Sequence, residues 1–390
     1  MKKTISDLDV KDKTVLVRAD FNVPLAAGEI TDDTRIVMAL PTIRTLMERE
    51  AKVLLCSHLG RPGGRVVEEL RLTAVAQRLS EHLSVTVSRV DETVGEQVKN
   101  VVSGMSPKEV LLLENTRFQP GEKDNSEEFA RQLAELADVF VNDAFAAAHR
   151  AHASTEKVAH YLPAVAGLLM DREIKALEKV LHDPKNPVAA IFGGAKISGK
   201  IRVIERMLDT ADMLMVGGGM ANTFLKAKGV DIGDSRVETD QVHTARNILN
   251  KASDRVILPR DVVVAEAIEA GAVSQTVDVD DVPPGWHIVD VGPKTLKRFR
   301  NEAGRANMVV WNGPLGVYEM EPFSRGTIDL MKTVAELAAD TVVGGGDLGA
   351  VVTRTGLADQ LTHFSTGGGA FLDFLAEKEL PGITALADKE

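Results

Sequence analysis

The chain has 390 residues, of which 44 % are apolar and 26 % are charged, and its formal net charge is −11. This length predicts two or more domains, and the composition is that of an ordinary globular chain rather than a fibrous or repetitive one. The acidic balance argues against nucleic-acid binding over a broad face, and no apolar run is long enough for a signal peptide or a membrane span. We therefore expect neither nucleic acid nor membrane as a partner.

Short apolar runs alternate with longer amphipathic segments, which is the pattern of repeated β-α units and a parallel sheet. In chain order the predicted strands are Val15–Val17, Val53–Leu55, Val110–Leu113 and Val139–Val141 in the first half, then Ala189–Phe192, Met213–Val216, Val256–Leu258, Ile288–Val291, Met308–Trp311 and Thr341–Val343 in the second.

A helix is predicted between the two sets of strands. Ile174, Leu177 and Leu181 have helical spacing, and Pro184 ends the segment. We interpret residues 171–184 as a connector between two lobes, with an ordinary surface helix of one lobe as the alternative. The predicted divisions are a first lobe at 1–170, the connector, a second lobe at 185–375, and a tail at 376–390 that is too poor in apolar residues to form a domain.

Basic and polar residues follow the predicted strands of the first half. They are Arg18, Asp20, Asn22, Arg35, His58, Arg61, Arg117 and Arg150. Ligands bind at the carboxyl ends of strands in open α/β sheets, and the arginine fork donates paired hydrogen bonds to phosphate and carboxylate. The first half therefore predicts a site for a small anion with several charges. Asp20 and Asn22 would either contact hydroxyls of that ligand or form turns after the strand.

Glycine-rich turns follow the predicted strands of the second half. They read GGAKISGK, GGGMAN, GPKT, NGPLG, GGGD and STGGG. Glycine allows backbone N–H groups to approach an anion closely, and the first turn also carries Lys196 and Lys200, so these turns predict a nucleotide site. The contrast between the halves predicts two doubly wound α/β lobes with a cleft between them.

Two motif matches in the second half are misleading. GAKISGKI, which starts at Gly194, fails as a P-loop because Ile201 stands where a hydroxyl should bind Mg²⁺. GGGDLG, at 344–349, fits the dinucleotide fingerprint but lies near the end of the chain and lacks the acid that should end the next strand. Asp347 is instead a candidate Mg²⁺ ligand, with helix capping as the alternative.

The cysteine and histidine residues predict no further site. The single Cys56 excludes an intramolecular disulfide and fits a reducing, cytoplasmic location; we interpret it as a small buried hydrophobic residue rather than a catalytic thiol. No cysteine or histidine spacing predicts structural zinc.

Nine segments, in order, resemble the phosphoglycerate kinase family. They are RADFNVPL (Arg18–Leu25), SHLGRP (Ser57–Pro62), ENTRF (Glu114–Phe118), AHRAHAS (Ala148–Ser154), GGAKISGKI, GGGMANTF (Gly217–Phe224), WNGPLGVYE (Trp311–Glu319), GGGD (Gly344–Asp347) and STGGGA (Ser365–Ala370). The resemblance covers essentially the whole chain. It implies two Rossmann-like lobes of similar size joined by a helix, with the C-terminal tail returning to the first lobe.

The resemblance also implies the ligands of each lobe. The first lobe would bind 3-phosphoglycerate or 1,3-bisphosphoglycerate through Asp20, Phe21, Asn22, Arg35, His58, Leu59, Gly60, Arg61, Arg117 and Arg150. The second would bind MgADP or MgATP through Lys196, Lys200, Gly218, Gly292, Asn312, Glu319, Gly345, Gly346, Asp347 and Leu348. Within this set Glu319 would hold the ribose, and Asp347 would hold Mg²⁺ directly or through water.

The implied activity is reversible, Mg²⁺-dependent phosphoryl transfer from 1,3-bisphosphoglycerate to ADP, a step of glycolysis and gluconeogenesis. Because such a transition state spreads charge over three equatorial oxygens, positioning and positive charge should supply most of the catalysis. We assign that role to Arg35 and Lys196, which would come together when the lobes close by hinge bending. The family is usually monomeric, so we expect a cytoplasmic monomer.

Three changes, at four positions, depart from the family pattern. Ala146 and Ala147 replace the usual Gly-Thr, Gly199 stands where Asp is frequent, and Leu348 stands where Thr or Ser is common. We expect these changes to alter affinity and rate rather than the class of reaction.

Three alternative functions remain open on the sequence. They are a non-catalytic two-lobed anion-binding protein, an NAD-dependent dehydrogenase, and a kinase of another small acid. Nucleotide binding, NAD titration and substrate profiling, respectively, would distinguish them from the phosphoglycerate kinase activity that the resemblance implies.

Overall fold

The computed structural model describes residues 1–252 and 254–389, which divide into two compact units. Unit 1 comprises Met1–Lys175 together with the tail from Glu379, and unit 2 comprises Ala176–Lys378. None of the helices in these residues is long and apolar enough to cross a membrane.

Unit 1 is built on a parallel sheet. Its strands are β1 (Thr14–Arg18), β2 (Leu25–Ala26), β3 (Glu29–Ile30), β4 (Lys52–Cys56), β5 (Val87–Arg89), β6 (Val110–Leu112), β7 (Val139–Asn142) and β8 (Ala164–Ala166), and its helices are α1 (Thr34–Glu48), α2 (Thr73–Leu83), α3 (Glu96–Ser103), α4 (Glu127–Ala134) and the start of α5 (Leu168–His182). The sheet order is β5-β6-β4-β1-β7-β8, with every neighbouring pair parallel, while β2 and β3 form a small antiparallel pair.

The central strands of this sheet are apolar on both faces. Val15–Val17 in β1 and Val53–Leu55 in β4 are fully buried, as a parallel sheet covered by helices on both sides requires. The register pairs Arg18 with Cys56 on one side and with Asn142 on the other. The loops after β1, β4 and β7 therefore leave the sheet side by side.

Unit 2 is built on a second parallel sheet. Its strands are β9 (Val188–Phe192), β10 (Met213–Val216), β11 (Val256–Ile257), β12 (Asp261–Ala265), β13 (Ser274–Asp278), β14 (His287–Val291), β15 (Met308–Asn312), β16 (Asp340–Gly344) and β17 (His363–Ser365), and its helices are α6 (Ile201–Thr210), α7 (Gly218–Ala227), α8 (Val242–Ala252), α9 (Pro293–Ala303), α10 (Arg325–Ala335), α11 (Gly346–Thr355) and α12 (Gly369–Leu375). The parallel sheet has the order β11-β10-β9-β15-β16-β17.

A separate antiparallel sheet, β13-β12-β14, is also part of unit 2. From the sequence, Ile288–Val291 was expected to be a strand of the parallel sheet. That expectation is wrong, because this segment belongs to β14, which pairs antiparallel with β12. An apolar run alone does not reveal the direction of its partner strand.

The C-terminal tail packs within unit 1. After the short helix α13 (Pro381–Thr384), Ala387 N donates to Ala164 O at 3.0 Å and Lys3 N donates to Ala387 O at 2.7 Å. Asn142 Nδ2 also donates to Gly382 O at 2.9 Å, so the tail contacts the end of β7.

Helix α5 begins earlier than the sequence predicted. The buried carboxylate of Asp143 accepts hydrogen bonds at Oδ1 from Leu169 N (2.9 Å) and Met170 N (3.2 Å) and so caps the first turn. A Cβ on Gly167 would lie 2.1 Å from Asp143 Oδ1. Burial raises the pKa of Asp143 to about 6, although these hydrogen bonds favour its ionised form.

We predict that Gly167→Ala destabilises unit 1 by about 1–3 kcal/mol, because the added methyl displaces the Asp143 carboxylate from its cap. Asp143→Ala should cost a similar amount, and Gly271→Ala should cost little since its Cβ would enter open space. The measurement is urea unfolding followed by circular dichroism, because both tryptophans, Trp286 and Trp311, belong to unit 2. Equal stability of Gly167→Ala and the unsubstituted protein would contradict the packing argument.

Candidate active site

A buried arginine organises the strand ends of unit 1. Arg18, fully buried at the end of β1, donates from Nε to Ser154 Oγ at 2.9 Å and from Nη1 to Ala19 O. Ser154 Oγ in turn donates to Glu122 Oε1 at 2.6 Å, and Ser154 N donates to Glu122 Oε2 at 3.0 Å. The buried charge of Arg18 is thus linked to a buried carboxylate through one hydroxyl.

Arg18 also fixes the tautomer of His58. Arg18 Nη2 lies 2.9 Å from His58 Nδ1, and a guanidinium can only donate, so Nδ1 is the acceptor. Burial, and next the charge of Arg18, hold the pKa of His58 well below its usual range. The imidazole is therefore neutral and carries its proton on Nε2.

Asp20 and Arg35 form an ion pair at the same edge of the sheet. Burial of Asp20 opposes its ionisation, but the charges of Arg35 and Arg18 outweigh it and lower the pKa of Asp20. Asp20 also accepts from Asn22 N at 3.1 Å, so it forms the turn after β1 as well as holding Arg35. The Arg35 side chain remains 27 % exposed and can reach a ligand.

Positive charges crowd together around Arg117. Burial, then Arg18 and Arg150, lower the pKa of Arg117 to about 10, and burial together with the same three arginines lowers the pKa of His152 to about 4. The buried Arg117 Nε and His152 Nδ1 have no hydrogen-bond partner within the residues described. Crowded cations with unused donors fit a multiply charged anion.

The remaining predicted residues of unit 1 play different parts at this edge. Gly60 N donates to Asn22 Oδ1 at 2.8 Å and Gly60 O accepts from Arg117 Nη1 at 2.8 Å, so Gly60 joins two of the loops. The side chains of Phe21 and Leu59 belong to the apolar core, which leaves only their backbones near the site. Arg61 is exposed, and no residue in the described ranges forms an ion pair with it.

The glycine turns of unit 2 are bonded to one another. Gly193 N donates to Asn312 O (2.9 Å), Gly194 N to Pro314 O (2.7 Å) and Gly218 N to Leu315 O (2.9 Å). Gly218 has φ +65°, and a Cβ there would lie 2.6 Å from Gly194 N. Only glycine allows this approach of the two turns.

Three helices start at this edge without a side-chain cap. Helices α6, α7 and α11 follow β9, β10 and β16, and among the described residues no capping side chain accepts a hydrogen bond from their N-terminal N–H groups. Uncapped helix N-termini that share a sheet edge favour phosphate binding.

The two lysines of the first turn differ in environment. Lys196 is exposed and has no hydrogen-bond partner in the described part of the chain. Lys200 is partly buried and donates from Nζ to Gly193 O at 2.6 Å. Burial lowers the pKa of Lys200 to about 8, although the Asp347 carboxylate opposes the shift.

A cavity of about 260 Å³ lies beside these turns. Its lining includes Gly194, Ala195, Gly218, Gly219, Asn222, Arg236, Ile268, Ile288, Tyr318, Glu319 and Asp347. Glycine backbone, apolar walls and exposed carboxylates at Glu319 and Asp347 suit a nucleotide with its base, ribose and metal-bound phosphates.

Seven of the ten predicted nucleotide residues are outside that lining: Lys196, Lys200, Gly292, Asn312, Gly345, Gly346 and Leu348. Asn312 is buried and donates from Nδ2 to Gly344 O at 2.7 Å, which supports the turn before Gly345. The Leu348 side chain packs in the core, so its backbone N–H is what α11 presents. Gly345 and Gly346 begin α11.

Gly292 is not brought to the cavity. It caps α9, whose first N–H groups are taken by Asp261: Lys294 N donates at 2.9 Å and Thr295 N at 2.7 Å. A Cβ on Gly292 would lie 2.3 Å from the Asp261 carboxylate. An internal anion therefore already occupies this helix N-terminus.

The donor set at Asp347 fits Mg²⁺. Asp347 is exposed and accepts from Tyr318 Oη at 3.3 Å, and no cluster of three His, Cys, Asp or Glu occurs in residues 1–252 and 254–389. One carboxylate is the donor set expected for an ion that takes its other ligands from phosphates and water. Cys56 is buried, and burial raises the pKa of its thiol to about 12, which suits a packing role.

Sequence reasoning missed several residues that the structure brings to the two sites. In unit 1 these are Glu122, Ser154 and His152, and in unit 2 they are Asn222, Arg236, Glu238 and Tyr318. Three of them, Glu122, Arg236 and Glu238, lie outside the quoted segments, whereas Asn222 lies in GGGMANTF and Tyr318 in WNGPLGVYE. His152 and Ser154 lay within the AHRAHAS segment, where the density of polar residues was the available signal.

The chain has two α/β domains, each built on a parallel sheet. One presents crowded guanidinium groups, and the other presents glycine turns at uncapped helix N-termini. These features define the class of two-domain α/β phosphotransferases. The model of the phosphoglycerate kinase family matches residues 5–378. The chain belongs to the phosphoglycerate kinase family.

Individual relatives agree with this assignment. Phosphoglycerate kinases of Pelotomaculum thermopropionicum and Moorella thermoacetica are 52 % and 53 % identical to the chain over 391 residues, with 100 % of each chain covered. The solved phosphoglycerate kinase of Coxiella burnetii is 42 % identical with a TM-score of 0.87, covering 99 % of this chain and 98 % of that one. That of Pyrococcus horikoshii is 33 % identical with a TM-score of 0.88 and covers 98 % of both.

We predict that His58 stays neutral, with its proton on Nε2, at pH values where an ordinary histidine becomes protonated. The physical reason is that burial and Arg18 lower its folded pKa below the unfolded value. The unfolded state then binds more protons in this window, so His58 makes stability fall as pH decreases through it. Nitrogen-15 shifts of the imidazole report the tautomer directly, and an imidazolium signal at pH 6 would contradict the assignment.

We predict that kcat/KM for the nucleotide falls above about pH 8 as Lys200 loses its proton. Because the folded pKa lies below the unfolded value, the unfolded state binds more protons between the two values, and stability should rise with pH there. Lys200→Arg should move the fall in kcat/KM to higher pH, since guanidinium stays charged. The same fall in Lys200→Arg would show that another group causes it; fluorescence of Trp311 checks that unit 2 remains folded.

Proposed function

We propose that this chain catalyses reversible phosphoryl transfer between 1,3-bisphosphoglycerate and ADP, giving 3-phosphoglycerate and ATP. The observation that carries the proposal is the pairing of two unlike anion sites within one member of the phosphoglycerate kinase family. Unit 1 offers buried and exposed guanidinium groups, and unit 2 offers glycine backbone, lysines and a cavity of nucleotide type.

Unit 1 is proposed to bind the phosphoglycerate. Arg61, Arg117 and Arg150 supply forked donors for its phosphate and carboxyl oxygens. His58 adds an Nε2–H donor whose direction is fixed by Arg18. The unused Nε of Arg117 supports this role, because an anion would satisfy a donor that is otherwise buried without a partner.

Unit 2 is proposed to bind the nucleotide. Helix α11, which begins at Gly346, presents uncapped N–H groups to the phosphates, and Glu319 accepts from the ribose hydroxyls. Asp347 would hold Mg²⁺, which when bound neutralises phosphate charge. Tyr318, whose pKa is raised to about 12 by burial and then by Asp347, remains a hydroxyl donor that orients that carboxylate.

Direct transfer is proposed for the chemical step. In the direction of ATP use, a carboxylate oxygen of 3-phosphoglycerate attacks the γ-phosphorus while the bond to the β–γ bridging oxygen breaks and ADP leaves. Arg35 and Lys196 would stabilise the charge on the transferred group. Since the two substrates are assigned to different units, this step requires the units to bring them into line, and exclusion of water then protects the acyl phosphate.

We also propose that the chain works as a cytoplasmic monomer. The residues assigned to both substrates come from a single chain, and the buried thiol of Cys56 suits a reducing compartment. Light scattering at assay concentration would test the monomer.

The direct test is turnover of 3-phosphoglycerate with MgATP, in which a dehydrogenase couples formation of the bisphosphoglycerate to NADH oxidation. We expect a signal that needs both substrates and Mg²⁺ and that Lys196→Ala nearly abolishes. Folded protein that gives no signal would overturn the proposal. Titration with NAD and with other small acids in the same assay separates the alternative activities.

We predict that Arg35→Ala lowers kcat by about 100-fold or more and changes KM for 3-phosphoglycerate much less. The reason is that Arg35 is assigned to charge that develops in the transition state, where one lost donor costs on the order of 10²–10³. Arg44→Ala is the matched control, because Arg44 lies on the same helix but donates to His82 O. An unchanged kcat for Arg35→Ala would remove Arg35 from the transition state.

A further inference from the structure

The carboxylate of Glu238, which lies outside the glycine turns, accepts hydrogen bonds from the first of these turns. We name Gly193–Lys200 the lysine loop. Ile197 N donates to Glu238 Oε2 at 2.5 Å, Ser198 N donates to the same oxygen at 3.1 Å, and Ser198 Oγ donates to Glu238 Oε1 at 2.6 Å. Both oxygens of Glu238 are therefore engaged by two consecutive residues that lie between Lys196 and Lys200.

Glu238 is itself firmly attached to the rest of unit 2. Glu238 N donates to Thr223 Oγ1 at 3.2 Å, and Thr223 is buried on α7. Two residues earlier, Arg236 O accepts from the buried Asn222 Nδ2 at 3.1 Å. Ser235 Oγ accepts from Ile288 N at 2.8 Å, which connects the same segment to β14. Glu238 therefore lies in a segment that is hydrogen-bonded to α7 and β14.

The lysine loop has little other polar support at its centre, where the side chain of Ile197 is buried in the core. Ala195, Lys196, Ser198 and Gly199 are exposed, and a Cβ on Gly199 would meet no atom within 4 Å. The one backbone hydrogen bond within its second half is Lys200 N to Ile197 O at 2.7 Å, among the residues described. The three contacts with Glu238 are therefore the main polar support of Ile197 and Ser198 in the described residues, beside the buried side chain of Ile197.

We propose that Glu238 is a positioning residue for phosphoryl transfer: it holds the lysine loop in the conformation that presents Lys196 to the transferred phosphate. The inference rests on the proposed function. Glu238 touches neither the reacting atoms nor Lys196 through any contact in the described residues, so it acts through Ile197 and Ser198. A misplacement of about 1 Å of a charge-stabilising group is enough to slow a reaction roughly 100-fold.

The contacts need the shape of Glu238 more than its charge. In Glu238→Gln the amide oxygen can accept from both backbone N–H groups, and the amide NH₂ can donate to Ser198 Oγ, since a hydroxyl also accepts. Glu238→Gln thus preserves all three contacts without the negative charge. Glu238→Ala removes all three and leaves two backbone donors to water.

The kinetic test compares these variants in the coupled assay. We expect Glu238→Ala to lower kcat roughly 10- to 100-fold with KM for 3-phosphoglycerate nearly unchanged, and Glu238→Gln to stay within about threefold of the unsubstituted protein. Asp240→Ala is the matched control, because this neighbouring exposed acid accepts, within the described ranges, from Gln241 alone. Full activity of Glu238→Ala, or equal loss in Glu238→Gln, would overturn the proposal.

A double-mutant cycle separates positioning from general loss of structure. If Glu238 acts through Lys196, then Glu238→Ala should cost less than about threefold in a Lys196→Ala background. If the effect of Glu238→Ala is only structural, the full fold-loss in kcat will also appear in the Lys196→Ala variant, and that result would overturn the proposal. Thermal unfolding of each variant accompanies the cycle, and Ser198→Ala, which removes only the hydroxyl contact, provides a milder variant if Glu238→Ala does not fold.

Amide hydrogen exchange reports on the conformation of the lysine loop independently of enzyme activity. The Ile197 and Ser198 amides should exchange faster in Glu238→Ala and at the original rate in Glu238→Gln. An inactive unsubstituted protein would overturn the proposed function, whereas unchanged exchange in Glu238→Ala would overturn the role of Glu238 by itself.

Discussion

The structure of unit 1 depends on one unfavourable constraint, the crowding of positive charge at a sheet edge. Arg18 is fully buried, and it lowers the pKa values of Arg117 and His58 rather than being neutralised by an adjacent acid. The neighbouring carboxylates, Asp20 and Glu122, only partly compensate, and Glu122 does so through a serine hydroxyl. Such a cluster lowers the stability of the unliganded protein, and a bound anion would neutralise its charge.

Unit 2 is proposed to bind anions by another physical means. Its donors are backbone N–H groups at helix N-termini, and the turns can lie together because Gly218 has no side chain to collide with Gly194. Its cations are lysines, of which Lys200 is already weakened by burial. Backbone donors suit a long ligand that lies against a surface, while forked arginines suit a compact anion with several charges.

The two units nevertheless share a device, which is a carboxylate that holds the binding groups in place. Glu122 orders Arg18 through Ser154, Asp261 caps α9, and Glu238 binds the backbone of the lysine loop. Such internal acids set geometry without competing for the ligand where their oxygens are fully occupied by the protein. At Gly292, for example, the Asp261 carboxylate already accepts from the first N–H groups of α9.

The sequence by itself determined the strand-helix alternation, the division into two lobes, the basic and glycine-rich strand ends, and the family, because these depend on local periodicity and on short contiguous motifs. Only the tertiary structure decided that Ile288–Val291 is antiparallel, that Asp143 starts α5, and that Arg18 fixes the proton of His58. Each of these depends on partners tens of residues away. Strand direction, distant caps and buried tautomers follow from where the chain returns to itself, and no local pattern encodes that.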